Sequence, residues 1–487
     1  MPTLKDAVIS TPILASTTNG MEAYEGTTSN IVDLFYTIGS ARNRIAKAIT
    51  LFYKAFGENK DLALKTLFWA RDIRGGAGER EVFRRVLQSL EKTHPQDLSK
   101  VLEHVPEYGR WDDLLIFQSA SITTQCAGLI KKALSANNGL CAKWMPRQGP
   151  QANKLAKNTG MAPSVWRKTL VRLTTVVESK MCDNEWDSIN FAHVPSIAAA
   201  RYQKAFRSHA PIAYEAYKNA LSDGTAKVNA NAIFPHEVIR SLDAGDVSVA
   251  SAQWSALPNY LGNSRVLPMI DVSASMNCPL GTVNPSAFKC MDISIALGLY
   301  IADKQQGAFK DMFLTFSTTP SLDVLTGDLA SKVQQLKHAH WGGSTDILKA
   351  FELTLEYAVT NAIPAQEMPD YILILSDMQF DAADSLLVRR LRQSGKQRNK
   401  QKHVPATGLD LIKHRFEECG YLTPKLVFWN LNAAYGNAPA LSSDKGVVLI
   451  SGYSPAIMKL VLKASSFNPL DLVLDTIMAP RYARISI

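Results

Sequence analysis

Residues 265–276 read Arg265-Val266-Leu267-Pro268-Met269-Ile270-Asp271-Val272-Ser273-Ala274-Ser275-Met276. An apolar run of this length is a short buried strand, and it ends in a carboxylate followed by two hydroxyls spaced two residues apart. A strand delivering Asp-x-Ser-x-Ser into a loop brings three hard oxygen ligands within reach of one divalent cation. Such ligands suit Mg²⁺, Mn²⁺ or Ca²⁺ and suit Zn²⁺ or Cu²⁺ poorly. Taken alone, the same letters also describe a strand running into an ordinary Asx or Ser turn.

Two later segments tip that balance toward a metal site. Gly342-Gly343-Ser344-Thr345-Asp346 is a glycine-led loop with a hydroxyl and a second carboxylate. Tyr371-Ile372-Leu373-Ile374-Leu375-Ser376-Asp377-Met378 is another apolar strand ending in Ser-Asp. In an open α/β sheet the carboxyl ends of parallel strands lie side by side, and ligands collect in the crevice there. Three oxygen-rich loops are therefore expected to converge on one ion.

Around these segments, strand candidates Val266–Ile270, Met312–Phe316, Tyr371–Leu375, Lys425–Asn430 and Val447–Ile450 alternate with helices. The helices fit at 287–303, 328–338, 346–360, 407–419 and 455–465. This grammar predicts a doubly wound parallel sheet over 261–487. Pro268 cannot donate to a ladder and is expected near its strand's start. An insertion at 386–405 contains Arg389 to His403, with seven Lys/Arg and no acid. Such a run is a solvated loop or a second phosphate-binding element on the metal face.

The preceding half has a different texture. Residues 1–29 are rich in Ser, Thr, Ala and Gly and read as a flexible arm. From Asn30, apolar residues recur at three- and four-residue spacing: Ile31, Leu34, Phe35, Ile38, Ile45, Ala48, Ile49 and Phe52. That run predicts one amphipathic helix or a broken pair. Further helices of 10–15 residues with short turns continue to about 250, and strand-like alternation is scarce. Stacked helix pairs over 30–260 are expected, giving an α + α/β chain overall. The loop Arg74-Gly75-Gly76-Ala77-Gly78 lacks a preceding strand and a Gly-Lys-Ser/Thr ending. It predicts a helix–helix turn with positive φ at its glycines, not a nucleotide site.

At 487 residues, two domains plus extensions are the natural size, and 46% hydrophobic with 20% charged residues is ordinary for globular chains. The six cysteines have no Cys-x-x-Cys spacing, so reduced thiols in a cytoplasmic setting are expected. The start shows no basic region leading an apolar core, and no apolar run is long enough to cross a bilayer.

Of the formal charge of +9, +7 falls within residues 1–260. Lys131 to Val177 carries nine basic residues and no acid: Lys131, Lys132, Lys143, Arg147, Lys154, Lys157, Arg167, Lys168 and Arg172, interleaved with Trp144 and Trp166. Uncompensated Lys/Arg clusters are a footprint for phosphate backbones, and aromatic rings stack on unpaired bases. The alternative is a solvated helical face with both tryptophans in the core, which is the expected place for the two rings. Arg71, Arg74 and Arg80 around the glycine loop are further candidate phosphate contacts.

With both halves in view, the chain resembles the DUF2828 family, which joins a helical region to a von Willebrand factor A domain and is related to the TROVE-domain Ro ribonucleoproteins. The resemblance runs from about residue 30 to the C-terminus. It rests on Ala70-Arg71-Asp72-Ile73-Arg74-Gly75-Gly76 with Gly78-Glu79-Arg80, on Tyr108-Gly109-Arg110-Trp111-Asp112-Asp113-Leu114, and on Lys143-Trp144-Met145-Pro146. It continues through Arg167-Lys168-Thr169-Leu170, Phe234-Pro235-His236-Glu237, the three oxygen-rich loops, Val427-Phe428-Trp429-Asn430 and Ser451-Gly452-Tyr453-Ser454-Pro455. The resemblance implies HEAT-like helical repeats forming a ring closed by a Rossmann-like A domain. It also implies small structured RNAs on a basic surface, single-stranded 3′ ends in the central hole, and a metal-ion-dependent adhesion site (MIDAS). Carried over residue by residue, the metal ligands are Asp271, Ser273, Ser275, Thr345 and Asp377. The two aspartates act partly through water, Asp346 supports the site, and Mg²⁺ is the expected cation with Mn²⁺ or Ca²⁺ as substitutes. The basic insertion lies outside the A-domain pattern, and the RNA contacts are chosen from charge alone.

Three functions compete. The first is a non-catalytic RNA-binding scaffold using Arg71, Arg74, Arg80, Lys143, Arg147, Lys154, Lys157, Arg167, Lys168 and Arg172. The second is a protein-interaction or assembly component, cellular or phage, in which a partner's carboxylate completes the cation's shell. The third, a metal-dependent hydrolase, lacks a general base: no His or Glu lies within the three loops, and His338 and His340 read as helix-end residues.

Overall fold

The computed structural model describes residues 13–16, 22–174, 176–228, 230, 233–243, 247–280, 288–315, 320–339, 347–378, 408–433, 438–463 and 467–487. These divide into two compact units. One comprises residues up to Arg44, Phe234–Ile239 and Asn259–Thr476; the other comprises Ile45–Ile233, Arg240–Pro258 and Ile477–Ile487. The described residues up to Arg44 thus belong with the C-terminal half, although composition places a boundary near 30. Within them, β1 (Leu14–Ser16) and β2 (Glu22–Tyr24) form an antiparallel pair, and α1 (Asn30–Ile38) follows, capped by the Ser29 side chain. The described part of the expected arm therefore includes strand.

The helical unit is built from α2 (Ile45–Glu58), α3 (Lys60–Arg71), α4 (Glu81–Thr93), α5 (Pro95–Val101), α6 (Ala120–Ser135), α7 (Gly139–Trp144), α8 (Gly149–Thr159) and α9 (Pro163–Leu173). It continues with α10 (Gln203–His209) and α11 (Pro211–Ser222), then α12 (Pro235–Asp243), most of which belongs to the other unit, and α13 (Val247–Ser255). The periodic run from Ile31 to Phe52 is thus a broken pair, α1 and α2. Local signals set the ends. Asn59, Ser119 and Asn138 side chains accept from backbone N–H groups in the first turns of α3, α6 and α7, and left-handed Gly160 closes α8.

Packing runs from neighbour to neighbour: α2 on α3 and α4, α4 on α5, α6 on α7 and α8, α9 on α7 and α8, α11 on α10 and α13. This is the stacking expected of a solenoid-like array. Between α3 and α4 the glycine loop is indeed a helix–helix turn, yet only Gly78 has positive φ. Gly76 is needed for a different reason: a Cβ there would sit 1.9 Å from the Trp69 carbonyl oxygen.

In the other unit the sheet is formed by β3 (Val266–Ile270), β4 (Met312–Thr315), β5 (Leu322–Val324), β6 (Tyr371–Ser376), β7 (Lys425–Asn430) and β8 (Val447–Ser451). Its order is β5-β4-β3-β6-β7-β8, and every pairing is parallel except that of the edge strand β5. Helices α14 (Cys290–Lys304), α15 (Leu329–His338), α16 (Ile347–Thr360), α17 (Gly408–Glu418), α18 (Met458–Lys463) and α19 (Pro469–Ile477) alternate with the strands. The chain is α + α/β, as its sequence implies. β5 is too short, at three residues, to carry a periodic signal.

Pro268 is the middle residue of β3, not its start. The register explains the tolerance. Asp271 N–H donates to Leu375 and Tyr371 N–H to the Arg265 carbonyl, so odd-numbered residues of β3 face β6. Pro268 faces β4, whose pairing with β3 begins only at Met269. Its missing N–H therefore leaves the β3–β6 ladder intact. At the far edge α1 packs on β8, with Gly39 N–H donating to Ser451 Oγ (3.0 Å) and Ser451 Oγ donating to the Phe35 carbonyl (2.8 Å). A Cβ at Gly39 would lie 2.5 Å from the Ser451 carbonyl oxygen, so only glycine allows this approach.

Candidate metal centre

β3 is the first strand of the sheet, with β4 on one side and β6 on the other. The gap between β3 and β6 is therefore a topological switch point, where ligands of open α/β sheets bind. Each strand is wholly apolar until its carboxyl end. There β3 delivers Asp271 and β6 delivers Ser376 and Asp377, all three buried. Ile270 is in register with Leu375, which sets Asp271 level with Ser376 on the adjacent strand.

The two ends are tied together. Ser376 Oγ donates to Asp271 Oδ2 at 2.5 Å, and Ser273 N–H donates to Asp271 Oδ1 at 2.8 Å. Ser294 Oγ on α14 donates to the Leu375 carbonyl at 3.2 Å, pinning β6 from the helix side. Met378, with φ at 66°, donates its N–H to Ser376 Oγ at 3.0 Å. The hydroxyls of Ser273 and Ser275 lie 3.0 Å apart, Ser273 half-buried and Ser275 exposed. Burial, and then the neighbouring Asp377 charge, push the Asp271 carboxyl up to about 6, while hydrogen bonds from Ser376 and Ser273 pull it back down. Among the described residues, none of the groups acting on Asp271 is a cation.

Two acids so placed raise each other's cost of ionisation, and a divalent ion removes that cost. The donor set is two carboxylates and two hydroxyls, all hard oxygens, which fits Mg²⁺, Mn²⁺ or Ca²⁺. Asp271, Ser273, Ser275 and Asp377 would hold the ion. Thr345, Asp346 and His340 lie outside the described residues, as does the insertion at 386–405. His338 ends α15 and is exposed, with Nδ1 2.9 Å from the Gln334 carbonyl. Ser376 was not among the expected ligands; its signal was the Ser-Asp pair at the end of the second apolar strand.

Among the basic candidates, Arg71 does not belong to a surface. It is buried in α3 and forms an ion pair with Asp113 at 2.8 Å, and Asp113 also receives Arg84 at 2.6 Å. The surrounding apolar residues of α3 place it inside, and Asp113, 42 residues further along the chain, neutralises it. Arg74, Arg80, Arg147, Lys154, Lys157, Arg167, Lys168 and Arg172 are exposed, and Lys143 is half-buried. The last five exposed residues lie on α8 and α9, which pack on each other. Trp166 is a core residue donating to the Pro146 carbonyl at 3.0 Å, whereas Trp144 is half-buried with the Arg110 guanidinium 4.2 Å from its ring centre.

Residues 17–125 and 152–265 match DUF2828 and residues 265–476 match DUF7788, each described as a domain of unknown function. "Uncharacterized protein L728" of Acanthamoeba polyphaga mimivirus is 29% identical over 526 residues, covering 95% of this chain and 87% of that protein. Among solved structures, the RO (RSR) protein of Deinococcus radiodurans aligns over 92% of both chains at 14% identity with a TM-score of 0.32, a likeness too remote to carry residue roles. The chain belongs to the DUF2828 family, with a DUF7788 domain following the DUF2828 segments.

Proposed function

We propose that this protein is a non-catalytic, Ro-like RNA-binding scaffold whose A-type domain holds a divalent cation, most readily Mg²⁺. The observation that carries the RNA reading is the pair α8–α9. Five exposed basic residues, Lys154, Lys157, Arg167, Lys168 and Arg172, stand there on two touching helices, in a stretch of sequence without an acid. Such a face attracts a phosphate backbone by counterion release, without reading sequence. Small structured RNAs or single-stranded 3′ ends are the ligands implied by the Ro resemblance, and the setting is cytoplasmic. No helix among the described residues is long and apolar enough to cross a membrane. Filter binding of the full chain to a labelled hairpin RNA and to a single-stranded oligonucleotide, at rising salt, tests the reading. Affinity that falls steeply with salt supports it; no binding of either RNA at low salt overturns it.

The second reading concerns the cation. Bound between Asp271 and Asp377 with the Ser273 and Ser275 hydroxyls, it would offer a coordination position to an incoming carboxylate. The exposure of Ser275 at the rim supports a protein partner docking there. The chain's own residues would orient that ion and present it outward. With no His or Glu in the three loops to take a proton, the site reads as adhesive instead of hydrolytic.

A further inference from the structure

Beside the oxygen cluster lie two side chains that neither reading uses. Pro279 and Lys289 form an antiparallel bridge, Cys290 N–H donates to the Cys278 carbonyl at 3.1 Å, and Leu280 N–H donates to the Phe288 carbonyl at 2.7 Å. This register sets Cys278 directly opposite Cys290, the first residue of α14. Their Sγ atoms are 2.9 Å apart. Cys278 is half-buried and open to small solutes, and Cys290 is buried. The Asn432 amide donates to Cys278 Sγ at 3.2 Å, and Cys290 Sγ lies 3.5 Å from the Leu431 carbonyl. Both thiols are fixed from β7's exit, so they face each other in the folded state.

We propose that Cys278 and Cys290 are a reversible dithiol–disulfide pair, a modification site at the base of the turn that carries Ser273 and Ser275. Cross-strand neighbours with sulfurs already in contact need little backbone movement to form the bond. The oxidant is a peroxide. The Cys278 thiolate attacks one peroxide oxygen and becomes a sulfenic acid while hydroxide leaves. The Cys290 sulfur then displaces that oxygen, which departs as water with the Cys290 proton. Two thiols and one hydrogen peroxide thus give one disulfide and two waters. Sharing a proton with Cys290 pulls the Cys278 thiol below its usual range, which favours Cys278 as the attacking partner. The remaining cysteines are placed differently: Cys126 and Cys141 are buried in α6 and α7, and Cys182 and Cys419 are exposed.

The pair is tested on the reduced full chain in EDTA, so that the outcome is independent of any cation. The protein is treated with a few equivalents of hydrogen peroxide, alkylated with iodoacetamide and mapped by peptide mass spectrometry. The expected result is a Cys278–Cys290 cross-linked peptide two hydrogens lighter than the sum of its parts. Dithiothreitol abolishes it, and the C182S/C419S double variant still forms it. In Cys290→Ser, Cys278 is instead trapped by dimedone as a sulfenic acid. Full alkylation of both cysteines after peroxide overturns the proposal, as does either one paired elsewhere or driven to a sulfinic acid without the cross-link.

Discussion

Ser376 Oγ lies 2.5 Å from Asp271 Oδ2, joining the ends of two adjacent parallel strands through a buried hydrogen bond. That bond holds one carboxylate at the switch point while Asp377, the residue that follows β6, raises its cost of ionisation. A cation that binds only the folded chain stabilises it by mass action, by about 1.4 kcal/mol at ten times its dissociation constant. Thermal unfolding is therefore expected to shift upward with millimolar Mg²⁺ and return with EDTA. Asp271→Asn should abolish the shift. An equal Mg²⁺ response in wild type and variant removes the metal assignment.

The basic face makes a claim about slope more than about affinity. Each phosphate contact to single-stranded RNA contributes roughly 0.7 to the slope of log affinity against log salt. Replacing Lys154, Lys157, Arg167, Lys168 and Arg172 by Gln together should lower that slope by roughly 3.5, with near-uniform weakening across RNA sequences. These side chains are exposed, so the variant is expected to unfold at the wild-type temperature. A slope that does not change places RNA elsewhere or nowhere.

Arg71 carries the opposite expectation. Its guanidinium pairs with Asp113 at 2.8 Å inside the helical unit, and both side chains are almost fully buried. Removing one partner leaves a buried charge, which costs about 3–5 kcal/mol. The loss belongs toward the lower end, because Arg84 still reaches Asp113. Arg71→Met should therefore lower the urea midpoint strongly while the folded fraction keeps its RNA affinity. Loss of RNA binding at unchanged stability would return Arg71 to the surface.

Much of this was legible beforehand, because the signals were local. Strand boundaries at Val266, Tyr371, Lys425 and Val447 follow from apolar runs that end in polar residues. The nearness of Asp271 and Asp377 follows from parallel strands sharing a carboxyl edge. What escaped depends on partners far away in sequence. Arg71 looks like a surface base until Asp113 is known to face it. Pro268 looks like a strand start until the shortness of the β3–β4 ladder is seen. The segment before residue 30 looks like a tail because its order comes from outside itself: Tyr24 pairs with Ala438, and Ser442 N–H donates to the Thr27 carbonyl. Cys278 and Cys290, twelve residues apart, gave no spacing signal, since only a hairpin register brings them together.

His236 supplies a pH dependence whose sign is fixed by burial. Its ring is buried against Phe288 (4.7 Å between ring centres) and Phe234, and its Nδ1 has no hydrogen-bond partner among the described residues. Burial first, and the Arg42 charge second, push its pKa down to about 3, against an ordinary value near 6.5. The folded state thus keeps this imidazole neutral, while the unfolded chain takes up a proton below about pH 6.5. Stability from this group is complete above pH 6.5 and declines as pH falls, by roughly 1.4 kcal/mol per unit and roughly 5 kcal/mol in all by pH 3. Asp271 acts the other way: with its folded value near 6 and its ordinary value at 3.8, it adds stability as pH falls across that window. Comparing wild type with His236→Gln at each pH cancels the Asp271 contribution. Urea unfolding between pH 7 and pH 4.5 should show the wild type losing roughly 3 kcal/mol more than the variant. Parallel pH profiles for the two proteins would mean that the ring titrates normally and is open to water.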